Sequence, residues 1–74
     1  MKNTTIKAEV TGTVWKIVTT VGAAVEEDQE LMILESMKME IPAGAPEAGT
    51  VSQILVKEGD AVKEGQDLVV ITQG

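Results

Sequence analysis

The sequence predicts an all-β domain in which two similar halves share one aliphatic core. Three observations lead to this prediction. The chain repeats itself after 37 positions, its apolar residues fall in short runs rich in β-branched side chains, and glycines, prolines and acidic residues separate these runs at short intervals. Because 74 residues correspond to one small domain, we expect a single domain over residues 1–74.

The repeat relates residues 12–34 to residues 49–71 without a gap, and 10 of the 23 aligned pairs are identical. Two copies are too few for a solenoid, which needs three or more stacked units. We therefore expect two half-repeats that close on each other about a pseudo-twofold axis.

Each half-repeat contains the same succession of strands and turns. It begins with the strand Gly-Thr-Val-x-x-Ile, turns at Gly22 or Gly59, continues as a very short extended piece, turns again at Asp28 or Gly65, and ends in an apolar strand. With one further strand in each half, the expected strands span residues 5–8, 12–17, 24–25, 31–34, 39–41, 49–54, 61–62 and 68–71. Residues 42–49 are expected to form a connecting loop, because their prolines and glycines interrupt any strand ladder. Two such sheets can share one core as a sandwich or a flattened barrel.

The two halves differ at residues 35–40, which read ESMKME. We expect the first half to continue there into a hairpin with Met37 and Lys38 at its tip. A two-residue turn favours residues such as Asn and Gly that adopt positive φ easily, so Met and Lys break a turn rule. Departures from local preference concentrate at functional sites. We therefore treat Lys38 as a candidate reactive group in solvent, with an ordinary surface charge as the alternative.

The composition excludes several classes of function. The chain has no Cys, His, Tyr or Phe, so it lacks the usual general base and zinc ligands, and we expect no catalytic residue and no metal site. Its net charge of −6 repels phosphate backbones and argues against nucleic acid. Its aliphatic runs are far shorter than the roughly 20 residues of a membrane helix, and residues 1–5 lack a signal-peptide pattern. We expect a cytoplasmic, monomeric protein that does not bind membranes and is not itself an enzyme.

The triplet Met37-Lys38-Met39, with Glu35 before it, resembles the attachment motif of biotinyl domains, although Ser36 stands where alanine is usual. The resemblance extends over nearly the whole chain, through both Gly-Thr-Val-x-x-Ile strands, the paired turns and the Ala-Pro-rich linker. It is strongest to the free-standing biotin/lipoyl attachment proteins of bacteria. It implies a flattened β-barrel, or barrel-sandwich hybrid, of two four-stranded antiparallel sheets with pseudo-twofold symmetry, and a modified lysine on the hairpin around residues 36–39. The protruding thumb of some biotin carriers has no counterpart in the first half.

The resemblance also implies a function, that of a biotin carboxyl carrier. A biotin protein ligase would attach biotin to the Lys38 amine, and the arm would carry a carboxyl group from a biotin carboxylase to a carboxyltransferase. Met37 and Met39 would be recognised by the ligase, with capping of the core as the alternative. Glu35 would contribute to this recognition or be a solvated strand residue. The chain has no histidine to act as the usual general base beside Lys38, so we expect Lys38 to be a substrate and the ligase to remove its proton.

Two other functions remain open. One is a lipoyl carrier, modified by a lipoyl-attaching enzyme, or a chain that accepts both biotin and lipoate. Lipoyl sites typically read Asp-Lys-Ala, whereas methionines replace both neighbours here. The other is an unmodified interaction module, as in secretion or efflux adaptors, which normally lack the Met-Lys-Met tip. Trp15, the one aromatic residue, is expected in the core or half-buried on a sheet surface.

Overall fold

The computed structural model describes residues 2–73, whose regular structure is entirely β. The eight strands are β1 (Lys2–Lys7), β2 (Gly12–Ile17), β3 (Ala24–Val25), β4 (Glu30–Ser36), β5 (Met39–Gly44), β6 (Gly49–Ile54), β7 (Ala61–Val62) and β8 (Asp67–Gln73). Every expected strand is present, and β1, β4, β5 and β8 are longer than their sequence patterns suggest. Within these residues no helix could cross a membrane.

The strands form two four-stranded antiparallel sheets, in the orders β1-β8-β6-β3 and β5-β4-β2-β7. Each sheet takes two strands from each half, so the halves are interlocked rather than placed side by side. The domain is elongated, with extents of 37 × 17 × 17 Å. The predicted fold class, a flattened barrel of two four-stranded antiparallel sheets, is confirmed.

The repeat extends over all eight strands. Each strand of the first half has a mate of equal length 37 residues later, so that β1 corresponds to β5, β2 to β6, β3 to β7 and β4 to β8. The hydrogen bonds between the halves are also related by the 37-residue shift. The Gly22 N–H donates to the Val51 carbonyl and the Gly59 N–H to the Val14 carbonyl, each over 2.7 Å. Both glycines turn the chain with φ of 93° and 92°, a conformation that glycine adopts without steric cost.

The loop expected over residues 42–49 is wrong at both ends, because β5 continues through Gly44 and β6 begins at Gly49. Pro42 pairs with Ile33 within this strand. β5 lies at the edge of its sheet, where proline is tolerated because its missing N–H leaves no ladder bond unmade. The loop is therefore limited to residues 45–48.

The core is aliphatic and is built mainly from β4 and β8. Six side chains of these strands are at most 1% exposed: Leu31, Met32, Leu34, Leu68, Val69 and Ile71. Burial of each such side chain contributes about 1.5–3 kcal/mol, so these two strands fix the frame of the domain. Trp15 lies at a register shift in β2 and is 50% exposed. Of its two expected positions, it therefore occupies the sheet surface.

Candidate functional site

The hairpin that joins β4 to β5 ends in a two-residue turn formed by Met37 and Lys38. Ser36 and Met39 form the last cross-strand pair, and the two turn residues have φ of 52° and 65°. Positive φ at both central positions is the pattern of a type I′ turn. The left-handed conformation costs a non-glycine residue about 1–2 kcal/mol. Local turn preference therefore does not explain why Met and Lys occupy the tip.

The turn projects beyond the end of its sheet. β4 lies between β5 and β2, but its pairing with β2 ends where Glu35 faces Thr13. Past this point the ladder continues only as the pair of Ser36 with Met39 of β5, and the two turn residues lie beyond that pair. The sheet thus holds the stem of the hairpin and leaves its tip accessible from several sides.

The Lys38 side chain extends from this tip and is exposed. The ion pairs found within residues 2–73 use other lysines: Lys2 pairs with Glu47 at 3.3 Å, and Lys7 pairs with Asp67 at 2.7 Å. Among the described residues, no carboxylate forms a salt bridge with Lys38. Its amine is therefore available to a second protein.

Met37 and Met39 flank this lysine and are 92% and 62% exposed. Among residues 2–73 they are the two most exposed large apolar side chains, and Val21 follows at 61%. Neither methionine belongs to the core cluster or to the side chains packed against it, which favours recognition over capping of the core. Flexible thioether side chains adapt to partner surfaces of different shape, so the tip offers apolar contacts on both sides of the amine.

Glu35 and Glu40 face each other in the stem, one pair below Ser36 and Met39. Both carboxylates are exposed. Like charges directly opposite each other destabilise an antiparallel pair by roughly 0.2–1 kcal/mol. The facing carboxylates of Glu35 and Glu40, called the acidic collar below, therefore lower the stability of the fold slightly. Glu35 lies in the stem of the hairpin and not at its tip.

Two further contacts fix the hairpin to the body of the domain. A Cβ atom at Gly12 would overlap the Glu35 carbonyl, so only glycine permits this close approach of β2 to β4. The Ser36 hydroxyl donates to the Thr11 carbonyl oxygen over 2.9 Å. The expectations from sequence include neither contact. The recurrence of glycine at positions 12 and 49 is a signal for the first, whereas no pattern marks the second.

The chemistry of the tip is that of a projecting group rather than an enclosed site. A cavity of about 520 Å³ is an open groove at the Gly44 end of β5, and the hairpin does not line it. No cluster of acidic residues in residues 2–73 could hold a metal ion. An exposed amine in such surroundings can accept an acyl group when another protein provides the activated donor and the base.

Comparison with known proteins gives consistent results. The model of the family described as biotin-requiring enzyme, which covers biotin/lipoyl domains, matches residues 1–71. The biotin/lipoyl attachment protein of Bacillus subtilis strain 168 is 47% identical over 38 residues, which are 51% of this chain and 52% of that protein. The matched segment thus spans about half of either chain.

Three solved structures share the fold. In the urea carboxylase of Kluyveromyces lactis, the similar region has a TM-score of 0.92 at 39% identity and covers 97% of this chain but 6% of that one. In a single-chain, multi-domain long-chain acyl-CoA carboxylase, the similar region has a TM-score of 0.90 at 32% identity and covers 97% of this chain but 7% of that one. The lipoyl domain of the 2-oxoglutarate dehydrogenase complex of Azotobacter vinelandii has a TM-score of 0.76 at 27% identity, and the match covers 93% of this chain and 98% of that one.

Proposed function

This chain belongs to the biotin-requiring enzyme family of biotin/lipoyl attachment domains, and we propose that it is a biotin carboxyl carrier whose acceptor residue is Lys38. The observation that carries the proposal is the presentation of Lys38. Its amine lies on a turn that projects beyond the sheet, between two exposed methionines, and within the described chain it has no ion-pair partner. A primary amine in this setting fits an acyl acceptor.

The proposed attachment is a transfer of the biotinyl group from biotinyl-adenylate to Lys38. The Lys38 nitrogen forms an amide bond with the carboxyl carbon of biotin, the bond from that carbon to the phosphate oxygen breaks, and AMP leaves with its electron pair. A base of the ligase takes the proton released by the amine. The turn itself holds the Lys38 nitrogen in place, because a group on a rigid element reaches a reactive geometry more often than a mobile one.

The residues around Lys38 support recognition by a ligase. Met37 and Met39 offer apolar surface on either side of the amine, and methionine is common at surfaces that bind several partners. Glu35 adds a negative charge in the stem that would guide a partner with a basic surface. We assign the two methionines to direct contact with the ligase and Glu35 to electrostatic recognition.

After attachment, the domain would act as a mobile carrier and not as a catalyst. Bound biotin supplies the carboxyl-transfer chemistry, and the reacting groups belong to the partner enzymes. The two carboxylases with similar regions point to a biotin carboxylase and a carboxyltransferase as partners. The domain raises the effective concentration of the arm at both sites. We further propose that it does so in the cytoplasm and as a monomer.

One observation favours a second candidate, a lipoyl carrier. The lipoyl domain of Azotobacter vinelandii matches this chain over 98% of its own length, so its size and fold are those of the domain described here. Lipoate would also be attached as an amide of the Lys38 amine. We prefer biotin because Met37 and Met39 stand where lipoyl sites typically have Asp and Ala.

The proposal is tested by an attachment assay with purified components. The unmodified protein is incubated with ATP and biotin plus biotin protein ligase, or with ATP and lipoate plus lipoate ligase, and the mass is followed over time. We expect biotin attachment to be the faster reaction and to be abolished in Lys38→Arg. The control variant Lys57→Arg, which changes another exposed lysine, should be modified as fast as wild type. Faster lipoate attachment would favour the second candidate, and attachment that survives Lys38→Arg would refute the site.

A further inference from the structure

The hairpin is tied to the rest of the domain by a short chain of hydrogen bonds that starts two residues before Lys38. The Ser36 hydroxyl donates to the Thr11 carbonyl oxygen over 2.9 Å. The Thr11 hydroxyl in turn accepts the Glu64 N–H over 3.2 Å. Three segments that are distant in the sequence are thereby joined at the base of the tip.

This connection begins where the strand ladder stops. The pairing of β4 with β2 ends at Glu35 and Thr13, so Ser36 has no ladder partner in β2. Ser36 is partly buried at this point, and its side-chain hydrogen bond continues the contact for one more residue. It is the last polar contact between the hairpin and the neighbouring segment before the exposed turn.

The segment that receives Ser36 is itself well anchored. Thr11 precedes Gly12, which lies directly against the Glu35 carbonyl. Glu64 lies in a turn with Gly65, whose N–H donates to the Ala8 carbonyl over 2.8 Å. Ser36 is therefore bound to a part of the domain that cannot easily follow a movement of the tip.

A similar bond at the equivalent place in the other half provides a control. Position 36 corresponds to position 73, and the Gln73 side-chain amide donates to the Ala48 carbonyl oxygen over 2.8 Å. Ala48 corresponds to Thr11 in the repeat. Each half thus has a side-chain donor on the carbonyl that precedes its strand-opening glycine, but only the bond of Ser36 supports a candidate acceptor.

We propose that Ser36 is a positioning residue for acylation of Lys38. Its hydroxyl restrains the two turn residues, which have φ of 52° and 65°, so that the amine is offered to the ligase in a narrow range of directions. Residues in the left-handed region keep that conformation when their surroundings impose it. Ser36 itself does not touch the reacting atoms. This inference rests on the proposed function, because it concerns the same lysine.

The test compares Ser36→Ala, Ser36→Thr and Gln73→Ala in the biotin attachment assay. Losing one solvent-accessible hydrogen bond of the tip predicts a roughly two- to fivefold lower kcat/KM for the Ser36→Ala protein as substrate. The loss should lie mainly in KM, since a looser tip must be ordered on binding. Ser36→Thr retains a hydroxyl and should recover most of the wild-type value. Gln73→Ala loses the equivalent bond and should be modified at the wild-type rate.

Amide hydrogen exchange provides a readout that attachment kinetics alone do not give. Ser36→Ala should speed exchange at residues 37–39 and leave the β8 amides unchanged. The inference is overturned if Ser36→Ala is modified at the wild-type rate, or if Gln73→Ala slows attachment as much as Ser36→Ala does. A failure of the proposed function is distinct from both outcomes, because the wild-type protein would then accept no biotin at all.

Discussion

The hairpin end of the domain and the end at which β1 meets β8 occupy equivalent places in the two halves. Ser36 pairs with Met39 at the hairpin end, as Gln73 pairs with Lys2 at the β1/β8 end. The glycine behind each pair, Gly12 or Gly49, leaves no room for a Cβ atom. The backbone frame is therefore the same, and the ends differ in their side chains.

The β1/β8 end is saturated with polar contacts. The Thr72 hydroxyl donates to the Asn3 side-chain oxygen over 3.0 Å, and Lys2 pairs with Glu47 at 3.3 Å. At the hairpin end, the positions equivalent to Thr72 and Asn3 hold two facing glutamates, Glu35 and Glu40. Side chains at one end satisfy each other, whereas those at the other remain available to an external partner.

The largest expected effect comes from the glycines that both ends need. Gly12→Ala places a methyl group on the Glu35 carbonyl, and Gly49→Ala places one on the Ile71 side chain. Overpacking of this kind typically costs about 1–3 kcal/mol, so urea unfolding should show a lower free energy of unfolding for both variants. Only Gly12→Ala displaces the strand that carries the hairpin. We expect slower biotin attachment for Gly12→Ala at a temperature where both variants are folded. Equal attachment rates for the two variants would remove the functional distinction between the ends.

Moving a residue pair from the β1/β8 end to the hairpin end tests whether the difference between the two ends affects attachment. The double variant Glu35→Thr with Glu40→Asn gives the hairpin the pair found at Thr72 and Asn3. Removing the like-charge pair should stabilise the domain by roughly 0.2–1 kcal/mol, with a smaller gain at high salt because the charges are exposed. Attachment should become slower and lose part of its dependence on ionic strength. A stabilised double variant that is still modified at the wild-type rate would show that the acidic collar has no role in recognition.

The smallest effect is a pH dependence confined to the β1/β8 end. Hydrogen bonding from Lys2, then from Gln73, together with the Lys2 charge, lowers the pKa of Glu47 in the folded protein. A carboxyl group with a lowered folded pKa stabilises the fold above its unfolded pKa, and this contribution is lost as the pH falls through the folded value. Glu47→Gln should therefore be slightly less stable than wild type near neutral pH. The difference should vanish in acid, and thermal unfolding at several pH values would measure it. A difference that grows in acid would contradict this assignment, and attachment at Lys38 should be unaffected at neutral pH.

Much of the frame follows from the sequence because it depends on local pattern. The sequence predicts the repeat, the turns at Gly22 and Gly59, and the apolar strands. The sequence also predicts the hairpin tip at Met37 and Lys38, since the tip lies where the sequence similarity between the halves ends. For the methionines, the sequence leaves both ligase recognition and capping of the core open, and their exposure in the fold favours recognition.

Other features depend on contacts between distant segments and carry no local signal. Pro42 is compatible with a strand only because β5 is at the edge of its sheet. The hydrogen bond from Ser36 to Thr11 joins residues 25 positions apart, and nothing in either neighbourhood identifies the partner. The surface position of Trp15 follows from a register shift in β2, which depends on how β2 pairs with β4.

The most direct test of this account is the intact mass of the protein purified from its own cells, grown with both biotin and lipoate available, followed by peptide mapping. The account predicts a single biotinyl group on Lys38 and none at any other lysine. A lipoyl group on Lys38 would preserve the carrier role and contradict the choice of biotin. An unmodified Lys38 under these conditions would contradict the central claim that the open hairpin end exists to present this amine.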